Sequence, residues 1–452
     1  MNYTYMKKLK KYIDKSNDVI TKEIFDVSTK AVTCKWGFTT ASKKYIRLLK
    51  FYKLFNRMHL KKMKNVLYNL VCLKFDKKIR VMFIVNELSV FPSFKSVYDT
   101  MIKDKDFICD LVYVPFIHAN KALNVDKEMN EYIEKGYKEI ISYEKYQLSK
   151  KSPDIVFYLK PYDSIPKEYY IDEIEKVIEK VVFIPYAINT VTDKETFRYA
   201  YGLPISNKAW IFVSHCKRDR DNAIKYSYNK GENIVVIGHP RMDLVNVDYS
   251  NDSFYKEIEK KANGRKIFLY DPHHTVNESY KWGTFKIYGL DILKYFNEHK
   301  DVFLVYRPHP LLKLALEKEF GKNSSFMKEY NKLLKSENII YDTTGDYLIS
   351  MHISDYLICD ANSFLSEFVM YKKPVIYTMF PNCKKIDDKD LESMIYTGKN
   401  IKEIYKYMDD LRNGKDILKA IRDEKVESYF CYDENKTVAE KLIDIIKKEY
   451  RG

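Results

Sequence analysis

At 452 residues the chain is longer than one ordinary hydrophobic core, so its length favours two or three domains. Its 46% hydrophobic content excludes a disordered chain. Because no uncharged apolar stretch approaches ~18 residues, we expect neither a membrane-spanning helix nor a signal segment. The seven cysteines are scattered without paired spacing, which disfavours a zinc site and a disulfide framework and predicts a reducing, cytoplasmic environment.

The net charge of +15 is concentrated near the N-terminus. Residues 1–75 hold 18 Lys and Arg residues against 4 Asp and Glu residues, and residues 27–75 hold no acidic residue at all. Between 43 and 71, apolar residues recur at helical spacing among the basic ones, which predicts an amphipathic helix. We therefore expect residues 1–75 to form a basic helical arm, in which 27–75 binds an anionic membrane surface. The sequence leaves open the alternative in which the apolar stripe packs on the body of the protein and the lysines are solvated.

After the arm, short apolar runs alternate with helical charge patterns. This alternation predicts parallel sheets with helices on both faces. We expect a Rossmann-like domain over 76–225, a second one over 226–425, and a C-terminal helix over 426–452, whose return onto the first domain the sequence leaves open. The predicted strands are 80–85, 111–114, 155–158 and 181–184 in the first series, and 234–237, 267–270, 303–306, 339–341, 356–359 and 375–377 in the second.

Two sequence features bear on cofactors and metals. No GxGxxG motif occurs, and Gly136 is the only glycine between Arg80 and Tyr201, so a dinucleotide cofactor is disfavoured. Asp219 and Asp221 form a DxD triplet, a pattern found in metal-dependent glycosyltransferases, but we interpret this strongly charged segment as a solvated loop. The near-neutral body also lacks a recognised nucleic-acid motif. We therefore predict no cofactor, no metal and no nucleic-acid partner.

Polar side chains follow the first two strands of the second series. Gly238 permits a tight turn or a close ligand approach, and Arg241 is within reach of a phosphate, although an ordinary turn explains both equally well. His273 and His274 follow strand 267–270. Adjacent histidines on a loop rarely face one ion, so a metal site is disfavoured. We expect a single histidine to act as a general base or as a hydrogen-bond donor to a phosphate.

The next strand, 303–306, ends at Arg307, Pro308, His309 and Pro310. Arginine offers a planar, permanently charged fork for phosphate oxygens, and histidine can donate a hydrogen bond or a proton near neutral pH. The prolines stiffen the loop around His309. Because the carboxyl ends of parallel strands meet at one edge of a sheet, we expect these side chains to share a crevice with those of the neighbouring loops. The alternative for this motif alone is a turn with a solvent-facing arginine.

Strand 356–359 ends at Asp360, and a predicted helix follows. Asn362 or Ser363 can cap that helix, and a free helix N-terminus is a natural phosphate site. Glu367 lies one helical turn further on, where its carboxylate can accept hydrogen bonds from the hydroxyls of a ribose or a polyol. Plain capping is the alternative.

With these motifs in this order and spacing, residues 150–430 resemble the CDP-glycerol glycerophosphotransferase family, which includes teichoic acid primases and polymerases. The resemblance implies a GT-B fold, in which two Rossmann-like domains face a cleft and the second binds the donor. It also implies that Arg307, His309, Ser363 and Glu367 contact the donor, and that the protein lies at the inner face of the membrane. The segments that carry it are 238–243, 270–275, 307–310 and 355–377.

This sequence departs from the family at two positions. The family's His-Gly-Thr-Pro-like segment, whose histidine is thought to act as base, corresponds to 183–188 here, which contains no histidine. The family's usual Trp-Arg is replaced by His273 and His274. The catalytic base and the donor are therefore the two features that the resemblance leaves open.

From these patterns we predict an enzyme that transfers a polyol phosphate, glycerol phosphate by preference, from a CDP-linked donor to a surface-glycan or lipid-linked acceptor. One alternative is a GT-B glycosyltransferase that uses a nucleotide sugar in capsule or cell-surface polysaccharide synthesis, and another is a non-enzymatic, degenerate transferase fold. His273, His309 and Glu87 are the predicted catalytic residues, with His273 or Glu87 as base. The predicted donor-binding residues are Arg307, His309, Asp360, Asn362, Ser363, Glu367, Gly238 and Arg241.

Overall fold

The structure is a computed structural model, and it describes residues 78–117, 124–188, 194–276, 282–381, 383, 386 and 388–451. The basic arm predicted over 1–75 lies outside these residues. Arg80–Gln147 and Pro153–Ile443 form one compact unit that contains both sheets described below, whereas Leu148–Ser152 and the chain from Asp444 onward belong to a separate unit. In the described ranges, no helix combines the length and the apolar character that crossing a bilayer requires.

The first sheet is built from short, mostly buried apolar runs, as expected for parallel strands that are covered on both faces. Its strands are β1 (Ile79–Val85), β2 (Phe107–Tyr113), β3 (Ile141–Ser142), β4 (Ile155–Tyr158), β5 (Lys180–Phe183), β6 (Ile211–Ser214) and β7 (Ile234–Val236). They lie in the order β3-β2-β1-β4-β5-β6-β7.

The second sheet repeats this plan. Its strands are β8 (Lys266–Asp271), β9 (Val302–Tyr306), β10 (Ile339–Tyr341), β11 (Tyr356–Cys359), β12 (Val375–Thr378) and β13 (Tyr396–Gly398), all paired in parallel. They lie in the order β10-β9-β8-β11-β12-β13. Successive side chains alternate between its faces. Leu269 and Leu357 therefore belong to one apolar cluster, and Phe268 and Ile358 to the other.

The assignment of 234–237 to the second domain is wrong. Ile234 and Val236 pair in parallel with Phe212 and Ser214, so β7 is the edge strand of the first sheet. The strand has only three residues, all partly exposed, and its partner β6 was not recognised in the sequence. The sequence of so short a strand does not indicate which of the two sheets it joins. The predicted domain bounds as a whole stay a prediction.

Both sheets reverse their winding direction at one place, between β1 and β4 in the first and between β8 and β11 in the second. This is the order of a doubly wound Rossmann-type sheet. In such sheets, ligands bind outside the carboxyl ends of the strands at the point of reversal. The loops after β1, β4, β8 and β11 are therefore the places where a site is expected.

Helices connect the strands of both sheets. Those of the first half are α1 (Pro92–Met101), α2 (Val125–Glu134), α3 (Leu148–Lys151), α4 (Ile171–Ile174), α5 (Lys194–Tyr201), α6 (Pro204–Lys208) and α7 (Lys217–Tyr226). Those of the second half are α8 (Ser253–Ala262), α9 (Leu290–Glu298), α10 (Leu312–Phe320), α11 (Ser325–Leu333), α12 (Leu348–Ile353), α13 (Phe364–Val369), α14 (Lys389–Ser393), α15 (Ile401–Arg412), α16 (Lys419–Tyr429) and α17 (Val438–Arg451).

Gly238 contacts the C-terminal part of the chain. Its φ is +96°, and a Cβ placed on it would lie 2.8 Å from the carbonyl oxygen of Phe430 and 2.9 Å from Val438. Nearby, both oxygens of Asp243 accept backbone N–H bonds from the first turn of α17, at 2.8 and 3.0 Å. Chain packing thus explains the need for glycine at 238, and its predicted role in donor binding stays a prediction.

Candidate active site

The loops after β8 and β9 are held together by backbone hydrogen bonds that continue the pairing of the two strands. The N–H of Arg307 donates to the carbonyl of Tyr270 at 2.9 Å, and the N–H of His309 donates to the carbonyl of Pro272 at 3.0 Å. This register places His309 beside the loop that carries His273. The structure therefore brings two of the predicted catalytic residues together.

A third histidine, which the sequence analysis did not select, completes the group. The ring of His274 lies 4.3 Å from that of His273 and 4.2 Å from that of His309, measured between centroids. The rings of His273 and His309 are 5.6 Å apart. We call His273, His274 and His309 the histidine cluster.

Backbone donors fix the hydrogen positions on two members of the cluster. The N–H of Thr275 donates to Nδ1 of His273 at 3.3 Å, and the N–H of Leu311 donates to Nδ1 of His309 at 3.2 Å. Because a backbone N–H can only donate, each Nδ1 must accept, and a neutral ring then carries its hydrogen on Nε2. Both residues are thus arranged as hydrogen-bond donors, which argues against the predicted role of His273 as base.

The cluster is uncharged at neutral pH. Burial and the neighbouring imidazoles lower the pKa of His273 to about 3. Burial and His274 lower the pKa of His309 to about 4, and burial also lowers the pKa of His274. Three neutral imidazoles at the carboxyl edge of a parallel sheet form a site that suits an anionic oxygen atom.

Two buried carboxyl groups lie beneath the cluster, where β8 and β11 are neighbours. Asp360 accepts backbone N–H bonds from His273 and Thr284, both at 2.8 Å. Burial raises the pKa of Asp360 to about 6, and burial together with Asp360 raises the pKa of Asp271 well above its usual range. Asp360 was predicted to bind the donor. It is fully buried and instead holds the loop of His273 in place.

At the start of α13, the structure selects one of the two predicted capping residues. Asn362 is the capping residue, because its Oδ1 accepts the N–H of Phe364 at 3.0 Å while its Nδ2 donates to Asp271 at 2.8 Å. Ser363 makes no side-chain capping bond. Both Asn362 and Ser363 line the cavity described below, so they remain candidates for donor contact.

The guanidinium of Arg307 is occupied by protein groups. Its Nη1 lies 2.6 Å from Oδ2 of Asp342, and its Nη2 donates to the carbonyl of Thr344 at 2.8 Å. The side chain of Asp342 is completely buried. In this structure the guanidinium therefore joins the loops after β9 and β10, and the contact of Arg307 with the donor stays a prediction.

Arg241 and Glu367, both predicted to bind the donor, bind each other. Nη1 of Arg241 contacts Oε1 of Glu367, the hydroxyl of Tyr347 donates to Oε2 at 2.7 Å, and Nη2 of Arg241 donates to the carbonyl of Tyr186 at 2.7 Å. The two charged side chains are only 5% and 3% exposed. Each oxygen of Glu367 has a protein partner, so the pair links the second domain to the loop after β5, and contact of either residue with the donor stays a prediction.

A cavity of about 320 Å³ lies between the carboxyl ends of the two sheets. Its wall from the first domain is largely apolar and aromatic, and its wall from the second domain is formed by Trp282 and the start of α13. Among the residues that line it are Tyr162, Phe183, Tyr186, Phe212, Trp282 and Ser363. This volume lies at the lower end of the range for small-molecule sites.

The cavity also contains a histidine–aspartate pair that the sequence analysis missed. Nδ1 of His215 lies 2.7 Å from Oδ2 of Asp219, whose other oxygen accepts the hydroxyl of Tyr201 at 2.7 Å. Asp219 is buried on α7, so the interpretation of the DxD triplet as a solvated loop is wrong for this residue. A histidine directly after an apolar run, with a carboxylate four residues later on a helix, was the signal available in the sequence.

Both members of the pair are charged at neutral pH. Burial alone would lower the pKa of His215, but Asp219 and Cys216 raise it to about 10. Burial alone would raise the pKa of Asp219, but His215 lowers it to about 2. His215, Cys216 and Asp219 also place one possible ligand atom each within 4.8 Å of one another. Their hydrogen bonds to one another and to Tyr201 account for this arrangement without an ion.

Glu87, the other predicted base, follows β1 at the reversal point of the first sheet. Its Oε2 accepts a hydrogen bond from Nζ of Lys160, which follows β4, at 2.6 Å. The ammonium of Lys160 also lies 3.6 Å from the centre of the Phe116 ring. The adjacent Leu88 faces the second domain, because its Cδ2 is 3.7 Å from the position of a Cβ on Gly345.

Two doubly wound domains with their carboxyl edges around a common cavity define a GT-B-like architecture. A family model described as CDP-Glycerol:Poly(glycerophosphate) glycerophosphotransferase matches residues 196–448, and the chain belongs to this family of transferases. It is also similar to the teichoic acid ribitol-phosphate polymerase TarK of Staphylococcus aureus, with 23% identity over 236 residues, 48% of this chain and 41% of that protein. The chain spans about two fifths of the length of the curated relatives that it matches.

Two solved structures illustrate the fold. A variant of the wall teichoic acid polymerase TagF has a TM-score of 0.52 at 16% identity, and the match covers 86% of this chain and 98% of that one. A UDP-GlcNAc 2-epimerase from Neisseria meningitidis has a TM-score of 0.56 at 11% identity, covering 82% and 100%. At sequence identities this low, the structural similarity shows only that the folds are alike.

Proposed function

We propose that the protein transfers a polyol phosphate, glycerol phosphate by preference, from a CDP-linked donor to a hydroxyl of a surface-glycan or lipid-linked acceptor. The observation that carries this proposal is the histidine cluster. Its members come from two loops at the carboxyl edge of the second sheet, and two of them have Nδ1 bound by backbone N–H groups. Membership of the glycerophosphotransferase family supports the same reaction.

The proposed reaction breaks the diphosphate bond of the donor. The acceptor oxygen attacks the β-phosphorus and forms a new phosphodiester, while the bond between the β-phosphorus and the bridging oxygen breaks and CMP leaves with the electron pair. The neutral Nε2–H groups of His273 and His309 would donate to the phosphate oxygens as their charge changes. Such preorganised donors are most effective where water is excluded.

The acceptor hydroxyl must lose a proton in this reaction. We propose Glu87 as the group that takes it, because it directly follows β1 at the reversal point of the first sheet, where ligands of such sheets bind. Its Oε2 contacts Nζ of Lys160 at 2.6 Å, which fixes the carboxyl group in position after β1. Asn362 and Ser363 are proposed to contact the donor from the second domain.

Transfer of a sugar from a nucleotide sugar, in capsule or other cell-surface polysaccharide synthesis, is the alternative, because one fold supports both chemistries. The nucleotide that is released distinguishes them. Purified full-length protein should be incubated with CDP-glycerol, CDP-ribitol and UDP-N-acetylglucosamine, each with a polyol-phosphate acceptor. We expect CMP from a CDP-polyol, whereas selective UDP release would favour the alternative.

We also propose that the protein acts at the inner face of the membrane, with 27–75 in contact with anionic lipid. The support is the composition of this segment, which has 12 Lys and Arg residues and no acidic residue. A lipid-linked acceptor would make such recruitment useful to the reaction.

A further inference from the structure

Resting on the proposed function, one inference concerns His274, which the sequence analysis considered with His273 but did not include among the predicted site residues. We propose that His274 is a donor-binding residue and that the histidine cluster takes up a proton when a phosphate binds to it. Binding of the phosphate and binding of the proton would then be linked, because the positive charge that neutralises the phosphate appears on the cluster only when the phosphate binds.

The position of His274 is the first observation. Its ring is next to both of the others, with centroid distances of 4.3 and 4.2 Å. Its Nδ1 is buried and has no hydrogen-bond partner in the described part of the protein. A buried polar nitrogen that is left unpaired is unfavourable, and such atoms in native structures call for an explanation. A ligand oxygen at this nitrogen would supply the missing partner.

The surroundings of the cluster are the second observation. The carboxylate of Asp360 is directed at the backbone N–H of His273 and at Thr284, not at an imidazole nitrogen. Asp271 is bound by Asn362, and Arg307 by Asp342. In the described residues, the electrostatic influences on the three rings come from the cluster itself, so no anion compensates a positive charge there.

A bound phosphate changes this balance. Burial keeps the free imidazoles neutral, and an anion in contact with them favours the charged form, which raises their pKa. His273 and His309 already use Nδ1 as an acceptor, whereas Nδ1 of His274 has no hydrogen-bond partner among the residues that the structure describes. His274 is therefore the member that can gain a proton without losing a protein hydrogen bond.

The consequence follows from linkage. Both phosphates of a CDP-polyol are esterified and lack the monoester ionisation near pH ~6, so a proton taken up on binding goes to the protein. Between the pKa of the cluster in the complex and its lower value in the free protein, the Kd falls by about tenfold for each unit that the pH is lowered. Donor affinity should thus increase from about pH 8 to about pH 6.

Titration calorimetry of the full chain with CDP-glycerol, in two buffers of different ionisation enthalpy at about pH 6.5, measures this uptake directly. We expect the wild type to take up roughly 0.5–1 proton per donor bound. His274→Gln, which keeps a hydrogen-bonding side chain but cannot be charged, should bind more weakly and take up no proton. His299→Gln is the matched control, because His299 precedes β9 at the opposite edge of the sheet, and it should behave as wild type.

Each outcome decides between the two proposals. Donor binding without proton uptake in the wild type, or equal uptake in His274→Gln, overturns the inference and leaves the proposed function standing. A thermal-unfolding scan of His274→Gln shows whether its binding defect has a structural origin, because a destabilised variant would show a lower Tm. If the wild type binds neither CDP-glycerol nor CDP-ribitol at any pH, the proposed function fails and the inference falls with it.

Discussion

His309 illustrates how a loop can turn a titratable side chain into a fixed donor. Two backbone contacts determine its state: its own N–H binds the carbonyl of Pro272, and its Nδ1 accepts the N–H of Leu311. The flanking prolines restrict the loop further. The hydrogen on Nε2 is then presented to the site in a defined direction, which is the requirement for binding an anionic oxygen.

Replacing His309 should therefore affect donor binding more than folding. A hydrogen bond to a charged group contributes roughly 1.5–3 kcal/mol, so His309→Phe should weaken CDP-glycerol binding by about 10- to 100-fold. His309→Gln, which retains an N–H donor, should recover part of that loss. Calorimetric Kd values check this, and an unchanged affinity in His309→Phe would remove His309 from the donor site.

Arg307 leads to a different expectation, because its partner is buried. Arg307→Met leaves the carboxylate of Asp342 without its counter-charge, at a cost of roughly 3–5 kcal/mol in the free energy of unfolding. Adding Asp342→Asn should restore part of this stability, since the two residues form one network. Urea denaturation of both variants provides the measurement.

The matched control is Arg412→Met, which removes the exposed pair with Asp301 and should cost at most about 1 kcal/mol. If Arg307→Met is as mild as this control but abolishes donor binding, Arg307 is a donor ligand, as the sequence predicted.

Among the structural elements, α7 brings a charged pair into an otherwise apolar cavity wall. The helix begins directly after β6, so Asp219 lies in its first turn and faces His215, which precedes the helix. A carboxylate in the first turn of a helix is also stabilised by the helix dipole. The pair is buried against the aromatic rings of Tyr429 and Phe430.

This pair should make folding stability depend on pH in two windows. Because folding raises the pKa of His215, its charged form stabilises the folded state. This stabilisation is fully present below about pH 6.5 and is lost as the pH rises towards about 10. Because folding lowers the pKa of Asp219, its carboxylate also stabilises the folded state. This stabilisation is fully present above about pH 3.8 and is lost as the pH falls towards about 2. Asp219→Asn should thus lower the free energy of unfolding by about 3 kcal/mol near pH 6, and by less at pH 9.

Urea denaturation of wild type and Asp219→Asn across this pH range tests the expectation. Asp221→Asn, on the exposed side of the same helix, is the control and should differ little from wild type at every pH. A constant difference between wild type and Asp219→Asn from pH 6 to 9 would mean that His215 does not carry the predicted charge.

Across the whole molecule, the sequence predicted the sheets better than the site. Buried apolar runs that end in polar residues marked most strand ends, because parallel strands are buried on both faces. The same rule located the histidine cluster and the start of α13. It could not show that Arg307 is bound by Asp342, 35 positions later, because such pairing depends on the order of strands in the sheet. For the same reason the strand Ile234–Val236 was assigned to the wrong sheet.

The basic arm lies outside the described residues, so its binding to membranes stays a prediction. Each basic residue near an anionic surface contributes roughly 1 kcal/mol, so replacing four of them should reduce binding to anionic vesicles by on the order of 100-fold or more. The binding of the wild type should also weaken with salt, because screening shortens from ~10 Å at 0.1 M to ~3 Å at 1 M. The proposed full-length variant replaces Lys50, Lys53, Arg57 and Lys61 with Gln.

Vesicle co-sedimentation compares this variant with a control in which four exposed lysines of the body are replaced by Gln. If wild type and arm variant sediment equally, or if neither binds at low salt, the arm does not bind membranes. The control positions are Lys313, Lys322, Lys335 and Lys402.

The central claim, transfer of a polyol phosphate with release of CMP, is tested most directly by following the β-phosphorus of the donor. CDP-glycerol labelled at that atom should be incubated with the full-length protein and a polyol-phosphate acceptor, and the products separated. We predict that the label appears in a new phosphodiester of the acceptor, in an amount equal to the CMP released. Label that stays with the nucleotide, as CDP, would contradict the claim and indicate transfer of the group beyond the diphosphate.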